Sequence, residues 1–504
     1  MEGRFFFAHH SRTFKSRASS HFATLYRSYL AGKIHTLEHT TTDRDQLKEK
    51  GISEENLNRQ LSIFIDGCRP AALTRACTID DGIFRLSEAE ITDYSTKFAS
   101  GSQNLKVLKF VPASGAASRM FKHLHQCDTS NPDILTQEFL DRFYEMPFAK
   151  DIQAMQANPS DDQMVELTLE QSGLGYATAP KGMVLFHRYD GQAKTAFEEH
   201  LSEGAQYMGN KVCIHFTVPE GKEAEIGDFL RLRSANKDQV YDLSFSTQRS
   251  STDTVAVTMD NQPYRDDFGK LLFRPGGHGA LIHNLNKNPA DLIFIKNIDN
   301  VVHESRIEET VLWKQVLGGA LIKYRKLIHD FLRAVESDKV SSEQANSLRN
   351  ELGLGEMSQA EMAQLLQAPI RVCGMVKNEG EPGGGPFWVK GNPFPQVVES
   401  AQVSNAIDQQ VIVAQASHFN PTDLVCCTLD HRGIAYDLLE FIDHSACFIS
   451  EKSIAGTAVK ALELPGLWNG AMANWISIFI EVPVNTFNPV KTVNDLLRPM
   501  HQPK

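Results

Sequence analysis

An excess of positive charge is what this 504-residue sequence most plainly lacks: 51 lysines and arginines stand against 62 aspartates and glutamates, a net charge of −11. That sign repels a polyphosphate backbone, so nucleic acid is not the expected partner. No run approaches the roughly 20 apolar residues needed to cross a bilayer, and mean hydropathy is −0.30. No membrane partner is expected, and the chain reads as a cytoplasmic protein. The eight cysteines are scattered without a CxxC spacing, which argues against a zinc site or a disulfide framework and leaves reduced, mostly buried thiols. No internal repeat of about 20 to 50 residues is visible, which excludes a solenoid, and Gly383-Gly384-Gly385 is the one low-complexity stretch.

What is present is ordinary globular usage, with 41% hydrophobic and 22% charged residues, enough for a large core divided among two or three domains. Residues 1–42 are basic, with Glu2 and Glu38 their only acids. Phe5, Phe6 and Phe7 are too short a run for a secretory core, so an N-terminal extension is expected there. Residues 43–103 read as a helical cap, with Leu47 to Phe64 as its clearest amphipathic stretch. Strand-like runs follow at Leu105 to Val111, Met183 to Tyr189, Val212 to Val218, Asp242 to Gln248, Thr254 to Met259 and Asp291 to Asp299. Helical patterns such as Lys194 to Met208 and Lys222 to Arg233 lie between several of them. That alternation over 104–304 implies a mainly parallel sheet covered on both faces. Its ligands belong outside the carboxyl ends of its strands. Residues 120–170 form a helical insertion in this core, 305–367 are helical throughout, and 368–504 return to short strands rich in glycine, proline and aromatics.

Four loops could carry chemistry. Ser114-Gly115-Ala116-Ala117-Ser118-Arg119 follows the first strand, where small residues let backbone N–H groups approach phosphate oxygens and Arg119 adds a charged fork. A purely structural turn would use the same residues, and no Gly-Lys-Ser/Thr completes a Walker A loop. In Ala179-Pro180-Lys181-Gly182 the proline stiffens the approach and the lysine offers a point charge; the bland alternative is an isolated surface lysine. Phe273 to Leu281 packs three glycines around His278 at a predicted helix start, which suits close approach of backbone to a ligand, or a plain tight turn. Phe294 to Asn300 is an apolar strand ending at Asp299. A carboxylate there suits Mg²⁺, which takes one or two carboxylates plus substrate phosphates, although it also suits a turn or a helix cap.

Taken in order with Gln248, these loops resemble those of the UDP-sugar pyrophosphorylases, which show a Gly-Gly-x-Gly-Thr-Arg loop, a Pro-Lys, a glutamine after a strand, Pro-Gly-His-Gly and Asn-x-Asp-Asn. Phe487 to Leu497, containing Pro489-Val490-Lys491-Thr492 and Asp495-Leu496-Leu497, is similar to that family's Pro-Val-Lys-Thr and Asp-Leu-Leu. Gln396-Val397-Val398-Glu399 is a looser match to its sugar-contacting stretch. The exact wording of Val111 to Arg119 and of Leu464 to Met472 is similar to a bacterial family catalogued as domain of unknown function 4301. Together these likenesses run from about residue 105 to 497.

The resemblance implies a GT-A-like α/β fold: a mixed, mainly parallel sheet with helices on both faces, a helical cap, and a smaller C-terminal β-rich region that binds sugar. It implies a nucleotidyltransferase joining a nucleoside triphosphate, UTP by resemblance, to a sugar 1-phosphate with release of pyrophosphate. Asp299 would hold Mg²⁺, Arg119 and Lys181 the triphosphate, and Lys491 the sugar-phosphate side. Ser114, Gly115 and Ala116 would line the nucleotide, Gln248, Gly277 and Gly279 would read the base, and His278 would lie near the ribose or α-phosphate. Glu399, Asn378 and Glu381 would meet sugar hydroxyls. Trp468 could stack on a sugar, though core packing is the commoner use of a tryptophan. Two departures stand out. Serine at 114 and alanine at 117 replace glycines, which would strain any position needing a positive φ, and 62 residues separate Arg119 from Lys181. The competing expectations are a GT-A glycosyltransferase and a nucleotide-binding regulatory protein without turnover; self-association is left open.

Overall fold

The computed structural model describes residues 39–504 apart from 236–237, 381–383 and 455, so Glu381 and all but the last four residues of the 1–42 extension lie outside it. The strands at its centre are continuous apolar runs. Leu292–Lys296 is buried at every position, and Ile370–Lys377 at all but its last, as expected of strands covered on both faces.

In chain order the seven longer strands of the central sheet are β1 (Val107–Pro112), β2 (Lys211–Thr217), β3 (Val240–Ser246), β4 (Leu292–Lys296), β5 (Ile370–Lys377), β6 (Asp423–Cys427) and β7 (Ile476–Glu481). They lie side by side as β3-β2-β1-β4-β6-β5-β7. Neighbours are parallel except at β6, which runs against both β4 and β5. Short strands Gly82–Phe84 and Thr78–Ile79 extend the β7 edge, and His418–Phe419 pairs with β5, giving ten strands in all. The mixed, mainly parallel α/β sheet expected from the sequence is therefore present. β1 has β2 on one side and β4 on the other. The order reverses there, and the two chain directions leave a crevice beyond the carboxyl ends of β1 and β4.

Alternation along the strands splits the core. Phe294 of β4 faces a cluster with Trp313, Leu317, Leu321 and Phe331 of a 29-residue helix, Glu308–Glu336, while Ile293 and Ile295 face the opposite cluster with Leu281, Leu285 and Trp475. The long helix crosses Glu88–Gly101 at close range. A Cβ added at Gly319 would lie 1.8 Å from the Tyr94 carbonyl oxygen, so only glycine lets the two backbones touch.

Two strand-like runs of the sequence lie away from this sheet. Thr254–Val257 belongs to a four-stranded sheet with Phe273–Arg274, Phe448–Ile454 and Thr457–Glu463, and Leu185–Tyr189 pairs in a hairpin with Gln192–Thr195. Their periodicity identifies a strand without identifying its neighbours. Residues 43–103 hold helices and the short edge strands, and 120–170 hold helices Ile134–Asp141, Ala149–Met155 and Asp161–Leu169. Residues 368–504 supply β5, β6 and β7 to the central sheet.

The four-stranded sheet forms a side arm from which the loops before His278 and after Glu463 emerge. Helices Thr41–Lys50 and Glu54–Asp66 pack on it through Leu47, Leu57, Leu61 and Phe64 against Val255, Val257 and Leu462. Asp43 closes a capping box with Thr40 and accepts two bonds from Arg265, at 2.8 and 2.9 Å. The Arg265 bonds hold its carboxyl at about 2, below its ordinary 3.8. A depressed carboxyl contributes stability above its unfolded pKa that is lost as pH falls through its folded one. Asp43→Asn should therefore lower stability by about 2 kcal/mol at pH 7, and the deficit should shrink as urea titrations are repeated from about pH 4 towards pH 2.

Candidate active site

Four segments far apart in sequence meet at the crevice. The loop after β1 is bridged to the Pro-Lys segment: Lys181 N–H donates to the Gly115 carbonyl at 3.0 Å and Ala117 N–H to that of Ala179 at 2.9 Å. The Asp299 loop after β4 is joined to the last segment, with Val490 N–H donating to the Asp299 carbonyl at 3.1 Å. Asn488 N–H donates to Asn300 Oδ1 at 2.8 Å. Asp495 Oδ2 then accepts the N–H groups of Lys491 and Thr492, both at 2.7 Å, fixing the turn that presents Lys491. The C-terminal end is anchored by His303 N–H on the Met500 carbonyl at 2.9 Å and by the buried His187 and His501 rings, whose nitrogens are 2.9 Å apart.

At the centre, Asp299 Oδ2 receives Lys181 Nζ at 2.7 Å and Lys491 Nζ at 2.9 Å. Lys181 Nζ also donates to the Val490 carbonyl at 2.6 Å. Lys181 is thus an inward-facing residue, with a side chain 15% exposed, whereas that of Lys491 is 62% exposed. Burial lowers Lys181, against the pull of Asp299. Burial by itself would raise the Asp299 carboxyl, but the two lysines outweigh it and the net direction is down. Oδ1 of Asp299 is buried and has no hydrogen-bond partner among the described residues.

Beneath this point lie five charged side chains withdrawn from solvent. Glu203 takes Lys109 Nζ at 2.9 Å on one oxygen and Lys296 Nζ at 2.8 Å on the other, and Lys314 pairs with Asp423. His200, on the same helix as Glu203, receives Lys109 Nζ on its carbonyl at 3.0 Å. Its Nε2 lies 3.2 Å from the Ile298 carbonyl, one residue before Asp299. Three cations and two carboxylates leave this layer one charge positive. Sequence reading passed over it because a lysine inside an apolar run still reads as strand; a lysine at a buried strand position is the signal that could have shown it.

The loop after β1 carries no strain. Ser114 and Ala117 are absent from the residues with positive φ, and a Cβ on Gly115 would meet open space. Gly115, Ala116 and Arg119 are exposed and Ser114 is half-buried; Arg119 has no ion pair among the described residues.

A second grouping gathers loops of the side arm around Glu399, which follows strand Gln396–Val398. His278 Nδ1 accepts the Leu467 N–H at 3.0 Å, so the ring carries its proton on Nε2, which lies 3.2 Å from Glu399 Oε1. Asn469 Nδ2 donates to the same oxygen. Trp468 stacks on the imidazole with centroids 4.2 Å apart and planes 15° from parallel. Gly277 sits at φ +77°, a backbone conformation that favours glycine. The pairing of Glu399 with His278, 121 residues apart, and its sharing with Asn469 were not readable from local pattern. Gln248 is half-buried, its Nε2 shielded from solvent and without a hydrogen-bond partner among the described residues. Asn378 is exposed and turned into its own loop, its Oδ1 accepting Gly380 N–H at 2.8 Å. Gly279 is buried in the turn after His278.

A protein-family profile matches residues 40–502. The chain belongs to that family, described as a domain of unknown function (DUF4301). Among curated proteins none matches its sequence. In fold the DUF4301 chain is similar to the uridine diphosphate N-acetylglucosamine pyrophosphorylase of Trypanosoma brucei, with a TM-score of 0.50 and 12% identity over 97% of this chain and 84% of that one. A UDP-glucose phosphorylase of the same organism aligns with a TM-score of 0.42 and 11% identity over 90% of this chain and 77% of the other. At such identities the likeness to the first is one of architecture.

The Lys181–Asp299 contact tests whether the centre is built as described. Asp299→Asn should destabilise this DUF4301 chain by about 3 kcal/mol, because Lys181 then loses its compensating charge while buried. Adding Lys181→Met should recover at least about 1 kcal/mol of that in urea unfolding. A double variant less stable than the sum of the two singles contradicts a direct pairing.

Proposed function

We propose that this DUF4301 chain is a sugar-1-phosphate nucleotidyltransferase of the UDP-sugar pyrophosphorylase kind, with UTP as the preferred triphosphate. The observation that carries the reading is the clamp of Lys181 and Lys491 on Asp299 at the switch point of the sheet. Likeness of architecture to a UDP-N-acetylglucosamine pyrophosphorylase supports the same class.

The reaction needs charge neutralisation and in-line placement more than covalent help, since a sugar 1-phosphate is already an anionic nucleophile and pyrophosphate a competent leaving group. Lys181, held by Asp299 and the Val490 carbonyl, presents a fixed positive charge to the triphosphate. Lys491 is exposed enough to leave Asp299 for the sugar phosphate, and Arg119 faces solvent free to close over the β- and γ-phosphates. The backbone of Ser114, Gly115 and Ala116 approaches the nucleotide without side-chain obstruction. The positively charged layer of Lys109, Lys296 and Lys314 beneath the crevice favours anions in it. Gln248, Gly277 and Gly279 read the base, with His278 beside the ribose; Glu399 and Asn378 meet sugar hydroxyls, a task also given to Glu381.

The donor set fits Mg²⁺ on one point: Asp299 Oδ1 is a buried carboxylate oxygen without a partner. Asp299 would hold the ion, with substrate phosphates and water completing the shell. Bound there, Mg²⁺ supplies neutralisation of charge developing at the α-phosphate.

Purified protein incubated with Mg²⁺, one nucleoside triphosphate and one sugar 1-phosphate from a panel should release pyrophosphate only when both substrates are present. Silence across the panel with triphosphate binding retained would replace this reading with a non-catalytic nucleotide binder. Lys491→Ala should lower kcat about 100-fold while changing the dissociation constant for UTP less than about threefold. Equal losses in both would remove Lys491 from the reacting end.

A further inference from the structure

Cys68 and Cys447 stand 379 residues apart in sequence with their sulfurs 3.0 Å apart. They join two bodies. Cys68 lies two residues beyond helix Glu54–Asp66 of the cap, and Cys447 immediately precedes the side-arm strand Phe448–Ile454. Both pack in the apolar cluster through which the cap covers the arm. A disulfide places its sulfurs about 2.05 Å apart, so bonding requires a closure of about 1 Å shared between two side chains. Cys447 is buried, whereas Cys68 is partly open to solvent, which gives a small oxidant one sulfur to reach.

The pair connects to the second site grouping by a short route. Ala446, beside Cys447, accepts Gln402 Nε2 on its carbonyl at 2.7 Å. Gln402 Oε1 accepts the Glu399 N–H at 2.9 Å, and Glu399 holds His278 and Asn469.

We propose that Cys68 and Cys447 are a reversible oxidation site at which a low-molecular-weight disulfide installs a covalent clip between the cap and the side arm that carries the loops before His278 and after Glu463. The step balances as a double exchange. One protein thiolate attacks the reagent disulfide, bonding to one sulfur and expelling the first thiolate. The second protein sulfur attacks that mixed disulfide, expels the other thiolate and leaves the Cys68–Cys447 bond; the two thiol protons end on the two released thiolates. The reagent is reduced by two electrons and the protein oxidised by two. This site stands independently of the nucleotidyltransferase reading.

The test treats the full chain with oxidised glutathione and maps peptides without reduction. The expected product is a linked peptide pair containing Cys68 and Cys447, an intact mass lower by two hydrogens, and full reversal by dithiothreitol. Cys447→Ser should instead end with one glutathione on Cys68, and Cys68→Ser should give no linked pair. In the oxidised chain, hydrogen exchange of helix Glu54–Asp66 and of loop 464–469 should slow by about tenfold, with no such slowing in Cys447→Ser. Glutathione adducts without a linked pair in the wild type would overturn the site, and a linked pair without slowed exchange would overturn the clip.

Discussion

Everything around the crevice answers to one buried carboxylate. Asp299 is 6% exposed, and a lone ionised carboxyl at that depth is costly unless cations come to it. They come from positions 118 residues earlier and 192 later, Lys181 and Lys491. Each lysine must be delivered, so the Pro180 bridge to Ala116 and the Pro489 bridge to Asn300 serve the same electrostatic need. Residues 119 and 181 can be separated by a large helical insertion without harm, because the bridges fix the ends of the loops rather than the path between them.

The charged layer below extends that logic into the core. A salt-bridged set of three lysines and two carboxylates is a poor way to gain stability, since the cost of desolvation offsets most of the attraction. What it does supply is a fixed excess of positive charge on the sheet face nearest the Asp299 loop, tied to that loop through the His200 contact with the Ile298 carbonyl. Fixed charges of this kind need no reorganisation when an anion arrives.

Much of this architecture was legible in the residues. The apolar runs around Val107–Pro112 and Leu292–Lys296 became adjacent central strands, and the helical reading of residues 305–367 holds for Glu308–Glu336, Ser342–Glu351 and Gln359–Leu365. The order of Arg119, Lys181, Asp299 and Lys491 along the chain was available as a resemblance, and the last three make contact. Partnership was not legible. Nothing local distinguishes Thr254–Val257 as a side-arm strand, nor shows that Lys181 is buried, because both properties depend on residues more than a hundred positions away. The strain expected at Ser114 and Ala117 is absent for a related reason: the family's glycines do not by themselves say which φ this loop adopts. Glu399 Oε1 engages Asn469 and His278, a pairing that only the folded chain brings about.

The 192-residue gap between Asp299 and Lys491 also has a meaning in time. A ribosome adding about 5–20 residues per second makes Lys491 roughly 10–40 s after Asp299. During that interval β5, β6 and β7 are still being made, so the central strands β1 and β4 exist without four of the ten strands of their sheet. The nascent chain therefore passes through a long stage in which its most exposed apolar edge and its incompletely neutralised carboxylate coincide, and chaperone engagement should concentrate on that stage of synthesis.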